Sequence, residues 1–275
     1  MMPISRPDQP PLPPIELRQL VGATQDSLYD NPSGGLLFPE VPPHAYDFVF
    51  DWGCGCGRIA RQLLQQHPRP GKYVGVDLHR GMVHWCRQNL SPHAENFEFQ
   101  HQDIHNLGLN PEGKATVLPF PAPASSVTLF LAWSVFTHVN EEAATFYLHE
   151  LGRVLHPGGT AITTWFLFDK TDFPMMQEFQ NALFINDVDP TNAIIFDKGW
   201  LCRTADRAGL TLSVIVPPAI RGFHWKIYMK KAEPGTTHAA FPLDVAAQGL
   251  QRPPLMPQNA DRLGLDDGEQ KRRAE

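Results

Sequence analysis

The stretch Asp51-Trp52-Gly53-Cys54-Gly55-Cys56-Gly57 decides how this chain folds. It follows a short apolar run, Phe48-Val49-Phe50. After it, Ile59, Ala60, Leu63 and Leu64 recur at helical spacing until Pro68 and Pro70 stop the helix. Strand, glycine turn and helix in that order put the turn at the carboxyl end of a sheet, where open α/β folds bind ligands. Three glycines at alternate positions let the backbone bend tightly and approach a ligand without Cβ clashes. The dinucleotide fingerprint is GxGxxG, and its third glycine would fall where this chain has Arg58. The spacing here is GxGxG, which points away from a pyrophosphate.

Outward from that turn, strands and helices alternate. Tyr73 to Val76 reads as a second strand, closed by Asp77, 20 residues after Gly57. A carboxylate there can accept both hydroxyls of a ribose, and Leu78 beside it can pack on a base. The competing reading of Asp77 is a turn-forming residue. Residues 80–90 make a second helix. Phe97 and Phe99 alternate with polar residues in a third strand that ends near Asp103. Asp103 can accept an exocyclic amino group, with Ile104 supplying a backbone amide. An N-cap or exposed turn is the plainer role for Asp103.

Residues 104–124 read as loop, and Val127–Trp133 as a fourth strand. Asn140 is placed to cap a helix whose apolar face runs Ala144, Tyr147, Leu148, Leu151, Val154. Glu141 and Glu142 suit its positive end. Pro157-Gly158-Gly159 ends it, and a fifth strand runs from Thr160 to about Leu167. Residues 168–196 form an aromatic-rich insertion. A helix over 197–208, with Gly209 past its end, precedes strands at Leu210–Val216 and His224–Met229. The link PPAIRGF is too short for a crossover helix, so the last two strands pair antiparallel. The expected fold is α/β: a Rossmann-like, doubly wound, seven-stranded sheet, mostly parallel with an antiparallel last strand. Its expected divisions are a Pro-rich leader and flap over 1–43, a ligand-binding domain over 44–231 and a disordered tail over 232–275. Within the first division, residues 1–14 read as a disordered or polyproline-like leader and 15–21 as a short helix.

The chain has 275 residues, a formal net charge of −6 and 42% apolar residues. That charge gives no grip on nucleic acid or anionic lipid. No apolar run is long enough to span a membrane. The start, MMPISRPDQPPLPP, lacks the apolar core of a signal peptide, so a cytoplasmic location is expected. Cys54, Cys56, Cys86 and Cys202 have no second pair at ligand spacing, so no metal site is expected.

Five motifs carry a family resemblance. They are DWGCGCG, YVGVDL, QHQDI, LAWSVFTHV and LGRVLHPGG, in that order over about residues 46–230. Together they resemble the class I S-adenosylmethionine (SAM)-dependent methyltransferases, and among these the bacterial small-molecule enzymes of the ubiquinone-biosynthesis type. The resemblance implies SAM as cofactor. Asp51, Gly53, Cys54, Gly55 and Gly57 would hold its methionine part, with Asp51 serving the ammonium, directly or through water, and loop amides the carboxylate. Asp77 would hold the ribose, Leu78, Asp103 and Ile104 the adenine, and Trp133 would lie near the sulfonium. Thr128 stands where family members often have an acidic residue, which bears on local structure more than on the cofactor.

Methyl transfer from SAM is an in-line displacement in which the protein aligns acceptor and sulfonium. A hydroxyl acceptor also needs a base. His138, just past strand four, is the leading candidate, against a role as a helix-start histidine bonded to backbone. His224 is the second. The segment Ala132-Trp133-Ser134-Val135 lacks the NPPY-like motif of methyltransferases acting on exocyclic amines of DNA. The insertion carries Phe168, Phe173, Met175, Met176, Phe179, Phe184, Phe196 and Trp200, followed by Phe223 and Trp225. As pocket lining these would suit an aromatic or lipophilic acceptor; as core they would simply pack. The expected activity is O- or N-methylation of a small molecule. The alternatives are a non-catalytic SAM-binding module and, behind it, an RNA methyltransferase or an NAD-linked oxidoreductase.

Overall fold

A computed structural model describes residues 9–218 and 224–242 of the chain. Strand β1 (Val49–Trp52) is buried along its whole length and lies mid-sheet. It pairs in parallel with β2 (Tyr73–Asp77) on one side and β4 (Val127–Ala132) on the other. Beyond β2 lies β3 (Phe97–His101), and beyond β4 lies β5 (Leu155–Phe168), both parallel. Two last strands, β8 (Leu210–Val216) and β9 (Trp225–Lys231), form an antiparallel pair, and β9 joins the sheet antiparallel to β5. The expected hairpin and the mostly parallel sheet are both present.

Among the described residues the sheet has nine strands, not seven. The extra two lie in the insertion: β7 (Ile194–Asp197) runs parallel to the far end of β5, and β6 (Ala182–Phe184) pairs antiparallel with β7. Runs of three and four residues are too short to show a period in sequence. Strand β5 also begins earlier than expected. Val127 faces Leu155 but Leu129 faces Thr160, so Pro157-Gly158-Gly159 falls in a break of register rather than before the strand.

Alternation along β1 sorts the core into two layers. Val49 packs with Ile59, Leu63 and Leu64 of α2 (Arg58–Gln65) and with Val83 and Cys86 of α3 (Arg80–Asn89). Phe50 and Trp52 face the other way, into a ring cluster. Trp52 lies 4.3 Å from Tyr147 of α4 (Glu141–Val154), and both touch Phe120. The cluster extends through Phe136 and Trp165, 4.0 Å apart, to Phe196 and to Trp200 of α5 (Lys198–Arg207). Helix α4 is capped as its sequence predicts: Asn140 Oδ1 accepts from the Ala143 amide at 2.8 Å.

The leader and tail differ from expectation where they are described. Pro10 and Pro13 are buried, and α1 (Ile15–Leu20) follows them. Buried Arg61 is the anchor. Its Nε donates to Pro10 O at 2.8 Å and Pro11 O at 3.2 Å, and its Nη1 donates to Tyr29 O at 2.8 Å and pairs with Asp30. Prolines lack a donor but keep a carbonyl, so a Pro-rich segment can be held entirely through its acceptors. Leu12, Leu17, Val21 and Leu28 then pack on Ala23, Tyr29, Cys56 and Met82. In the tail, the Ala239 amide donates to Leu212 O at 2.8 Å and Phe241 meets Trp225. Residues 232–242, exposed or half-buried, are therefore tied to β8 and β9 by these contacts. Residues 1–8 of the leader, Phe223 with most of the PPAIRGF link, and 243–275 of the tail lie outside the described residues.

Replacing Arg61 by methionine strips donors from four acceptors, and burial makes that costly. A loss of about 2–4 kcal/mol in folding free energy is expected. Urea denaturation checks it, and an unchanged midpoint would mean that Arg61 does not anchor the N-terminal segment.

Candidate functional site

The glycine turn is a doubled-back bend. Gly53, Gly55 and Gly57 all take left-handed φ, +74°, +54° and +79°. The Gly53 and Cys54 amides both donate to Val76 O, at 2.8 and 3.1 Å. The Gly57 amide donates to Cys54 O, and the Gly55 amide to Asp77 Oδ2 at 2.8 Å. A Cβ on Gly53 would sit 2.3 Å from Val135 Cγ2, so glycine is required there twice over. These bonds correct one expectation. The amides of Gly53, Cys54, Gly55 and Gly57 are already taken by the protein, because folding back on β2 uses them. Those four amides are therefore not open to a ligand carboxylate.

Asp51 lies inside this bend, 1% exposed. Its Oδ2 accepts from the Tyr73 hydroxyl at 2.7 Å, while Oδ1 is buried without a partner. Burial pushes its carboxyl up to about 7, with nearby Asp77 adding to the rise and the Tyr73 hydrogen bond and Arg58 opposing it. An orphaned carboxylate oxygen behind the bend is what a cationic N–H donor at this place would complete, so the site fits an amino-acid ammonium.

Asp77 is half-buried and turned toward the bend. Besides the Gly55 amide, it takes the His79 amide on Oδ1 at 2.8 Å. Burial raises its pKa, against the pull of those two amides. Leu78 is half-buried, and its carbonyl lies 3.0 Å from His101 Nε2. Asp103 is half-buried at the end of the β3 segment, with Oδ1 accepting from Asn110 Nδ2 at 3.2 Å. The Ile104 amide instead donates to Gln102 O at 2.8 Å. It is occupied in a tight turn, so Ile104 does not offer the donor expected of it.

Trp133 directly follows β4 and opens onto a cleft of about 460 Å³. Leu37, Phe38 and Glu40 of the flap form one wall. Arg58, Ile59 and Gln62 from the first turns of α2 form the floor, and Lys226 of β9 the far side. Phe38 and Trp133 stand 6.4 Å apart, centroid to centroid. Glu40 Oε1 accepts from the Tyr228 hydroxyl and from Lys226 Nζ at 3.3 Å, tying the flap to the sheet. Burial pushes the Glu40 carboxyl up, but those hydrogen bonds together outweigh it and hold the group below its usual range. The flap itself is fixed by Gln66 Oε1, which accepts the Leu37 amide, and by the Tyr46 hydroxyl, which accepts that of Phe38. The sequence marked the flap by its apolar patch; Lys226 and Glu40 carried no signal, because only the folded register brings them together.

The insertion does not border this cleft. Phe196 and Trp200 are buried in the ring cluster on the opposite face, while Phe173, Met175, Phe179 and Phe184 are exposed. The aromatic lining expected from the insertion is supplied by the flap instead. His138 is also remote from the cleft: it is exposed, with Nδ1 3.1 Å from Thr191 O. Thr128, in place of an acidic residue, bonds the Phe48 amide and Ala45 O across to the turn before β1.

His224 is set against Ser134. Its Nε2 is 3.2 Å from Ser134 Oγ, and its ring stands 4.6 Å from Phe166. Ser134 follows Trp133 and holds an uncommon φ of +63°. The Thr164 hydroxyl accepts its amide at 2.6 Å, and Thr137 Oγ1 lies 3.3 Å from its hydroxyl. Strain of this kind, fixed by its surroundings, gathers at functional sites. Among the described residues no group of three His, Cys, Asp or Glu side chains is placed to hold a metal ion, and Cys54, Cys56 and Cys86 are buried free thiols.

Comparison with known proteins places this geometry. Residues 49–159 match a family model described as a methyltransferase domain. Among solved structures, a TehB-like SAM-dependent methyltransferase from Corynebacterium glutamicum is 17% identical, covering 70% of this chain and 83% of its own, with a TM-score of 0.43. A SAM-dependent methyltransferase from Methanosarcina mazei is 18% identical over 70% of this chain and 98% of its own, with a TM-score of 0.47. A 1,6-didemethyltoxoflavin-N1-methyltransferase from Burkholderia thailandensis, solved with that substrate and S-adenosylhomocysteine, is 18% identical over 68% and 71%, with a TM-score of 0.44. The segment that builds the bend, β1 to the start of β5, is the segment the family model of a methyltransferase domain matches.

Proposed function

We propose that the chain transfers the methyl group of SAM to a small-molecule acceptor. The observation that carries this reading is the cleft that opens between Trp133 and Arg58, beside the glycine bend. A cofactor seated over the bend would present its sulfonium toward Trp133, with the acceptor in the cleft beyond. SAM supplies an activated methyl group; the chain's own residues bind, align and exclude water. Asp51 balances the ammonium, directly or through water. With the amides of Gly53, Cys54, Gly55 and Gly57 occupied, Arg58 on the cleft floor takes the carboxylate. Asp77 accepts the ribose hydroxyls, Leu78 packs on the adenine and Asp103 accepts its amino group. His224, through Ser134, is the group placed to receive a proton from a hydroxyl acceptor, ahead of His138.

Transfer of labelled methyl from SAM into components of a fractionated metabolite extract tests the proposal. Incorporation into a small molecule supports it; SAM binding with no incorporation would favour a binding module instead.

Two variants test the cofactor seat. Asp77→Ala should weaken SAM binding by about 1–3 kcal/mol, the cost of unmade partly buried hydrogen bonds. The second is a pH effect. An Asp51 carboxyl held near 7 is mostly protonated in the free protein below that pH, and pairing with an ammonium requires the ionised form. SAM affinity should therefore rise with pH up to about 7 and level off above it. Asp51→Asn should flatten that profile. Calorimetry from pH 5.5 to 8.5 reads both, and a flat wild-type profile would remove Asp51 from the ammonium site.

A further inference from the structure

We infer that the open edge at β6 is an interaction surface for a second copy of this chain, the two copies pairing β6 to β6 across a two-fold axis. The inference goes beyond the methyltransferase reading and does not depend on it.

The backbone comes first. Strand β6 ends the path of the sheet, and among the described residues only β7 pairs with it. The Asp197 amide donates to Asn181 O at 2.8 Å, so these two residues form a hydrogen-bonded pair at the head of the ladder. Antiparallel pairs alternate, so Leu183 and Ile195 form the next. The N–H and C=O groups of Ala182 and Phe184 then point away from β7, to the outside. An open edge of this kind recruits further strands, and monomers guard it with lysine, proline or a bulge. Residues 179–186, FQNALFIN, hold no charge and no proline.

The side chains around the edge come second. Among the described residues the four most exposed large apolar side chains are Met175, Phe179, Ile185 and Val188, and Phe173 and Phe184 join them. Met175 is 90% exposed and Val188 84%. A phenylalanine presents roughly 200 Å² when fully open. With the three phenylalanines about half to three-quarters exposed and the other three more so, the six offer on the order of 800 Å². That exceeds the apolar patch of an ordinary monomer and equals the share one partner gives to a standard stable interface.

Self-pairing meets both demands. With the axis through Leu183, Ala182 lies opposite Phe184 of the second copy, and Phe184 opposite its Ala182. Each of these pairs exchanges two hydrogen bonds, so every outward N–H and C=O of β6 is met. On one face a small side chain lies beside each large one; on the other, Leu183 meets its own counterpart. The strand is its own complement, as a two-fold contact requires.

Analytical ultracentrifugation of the full-length protein tests the association. The unmodified chain should sediment as a dimer at micromolar concentration. Phe184→Lys places an unpartnered charge in the contact and should weaken association at least about a hundred-fold, with the far-ultraviolet circular dichroism unchanged. Leu183→Cys reads the register. Two Cα atoms facing each other on the axis would lie about 4.5 Å apart, within disulfide reach, so glutathione disulfide should link two chains of this variant and leave the unmodified protein unlinked. This second variant decides the matter if Phe184→Lys does not fold. A monomer at every concentration, a dimer that a folded Phe184→Lys leaves intact, or a Leu183→Cys dimer that does not cross-link would each overturn the proposal. A monomer that instead floats with phosphatidylcholine vesicles would overturn it in favour of a lipid surface.

Discussion

The site depends on one constraint: the chain leaves β1 and must turn back on β2 before it can start α2. Val76 O takes two amides from the turn, and the Asp77 carboxylate takes a third, from Gly55. That arrangement forces left-handed backbone at Gly53, Gly55 and Gly57 and leaves no room for a side chain at Gly53. It also seals Asp51 behind the turn with one oxygen unmet. The bend over which the cofactor is proposed to sit is therefore a by-product of how a parallel strand pair is joined to its helix. The residue expected to read a ribose is also one of the residues that fixes the turn.

Much of the fold could be read in the sequence because its elements are long and their periods clear. Strands β1 to β4, helices α2 to α5 and the final hairpin fall close to the expected bounds. What escaped was short or depended on contacts far apart in sequence. Strands β6 and β7 exist because β5 runs on past the sheet and offers an edge, which no local pattern announces. Residues 9–14 and 232–242 looked free because proline and polar residues dominate them. They are held by Arg61 and by the end of β8, through bonds invisible until the chain is folded.

The same division runs through the site. The places of Asp51, Asp77 and Trp133 could be read because each lies at or next to the carboxyl end of a strand near the glycine turn. The cleft was less so. Of the two readings of the aromatics around residues 168–200, Phe196 and Trp200 follow the core one, and Phe38 from the flap supplies the ring that meets Trp133. Composition locates apolar side chains but not the surface they cover. Likewise the sequence ranks His138 ahead of His224 as a base. Folding separates them, one pinned to the Thr191 carbonyl at the surface, the other set against Ser134.

Helix α2 is the shared member of two assemblies. Arg61 clasps the N-terminal segment, while Arg58 and Gln62 of the same helix line the cleft. A short helix gripped at both places is a thermodynamic bridge between them. Whatever free energy a bound molecule contributes to steadying the first turns of α2 must reappear as tighter docking of the amino-terminal segment, and the reverse holds in equal measure. Residues with no direct hold on a ligand thereby influence its affinity.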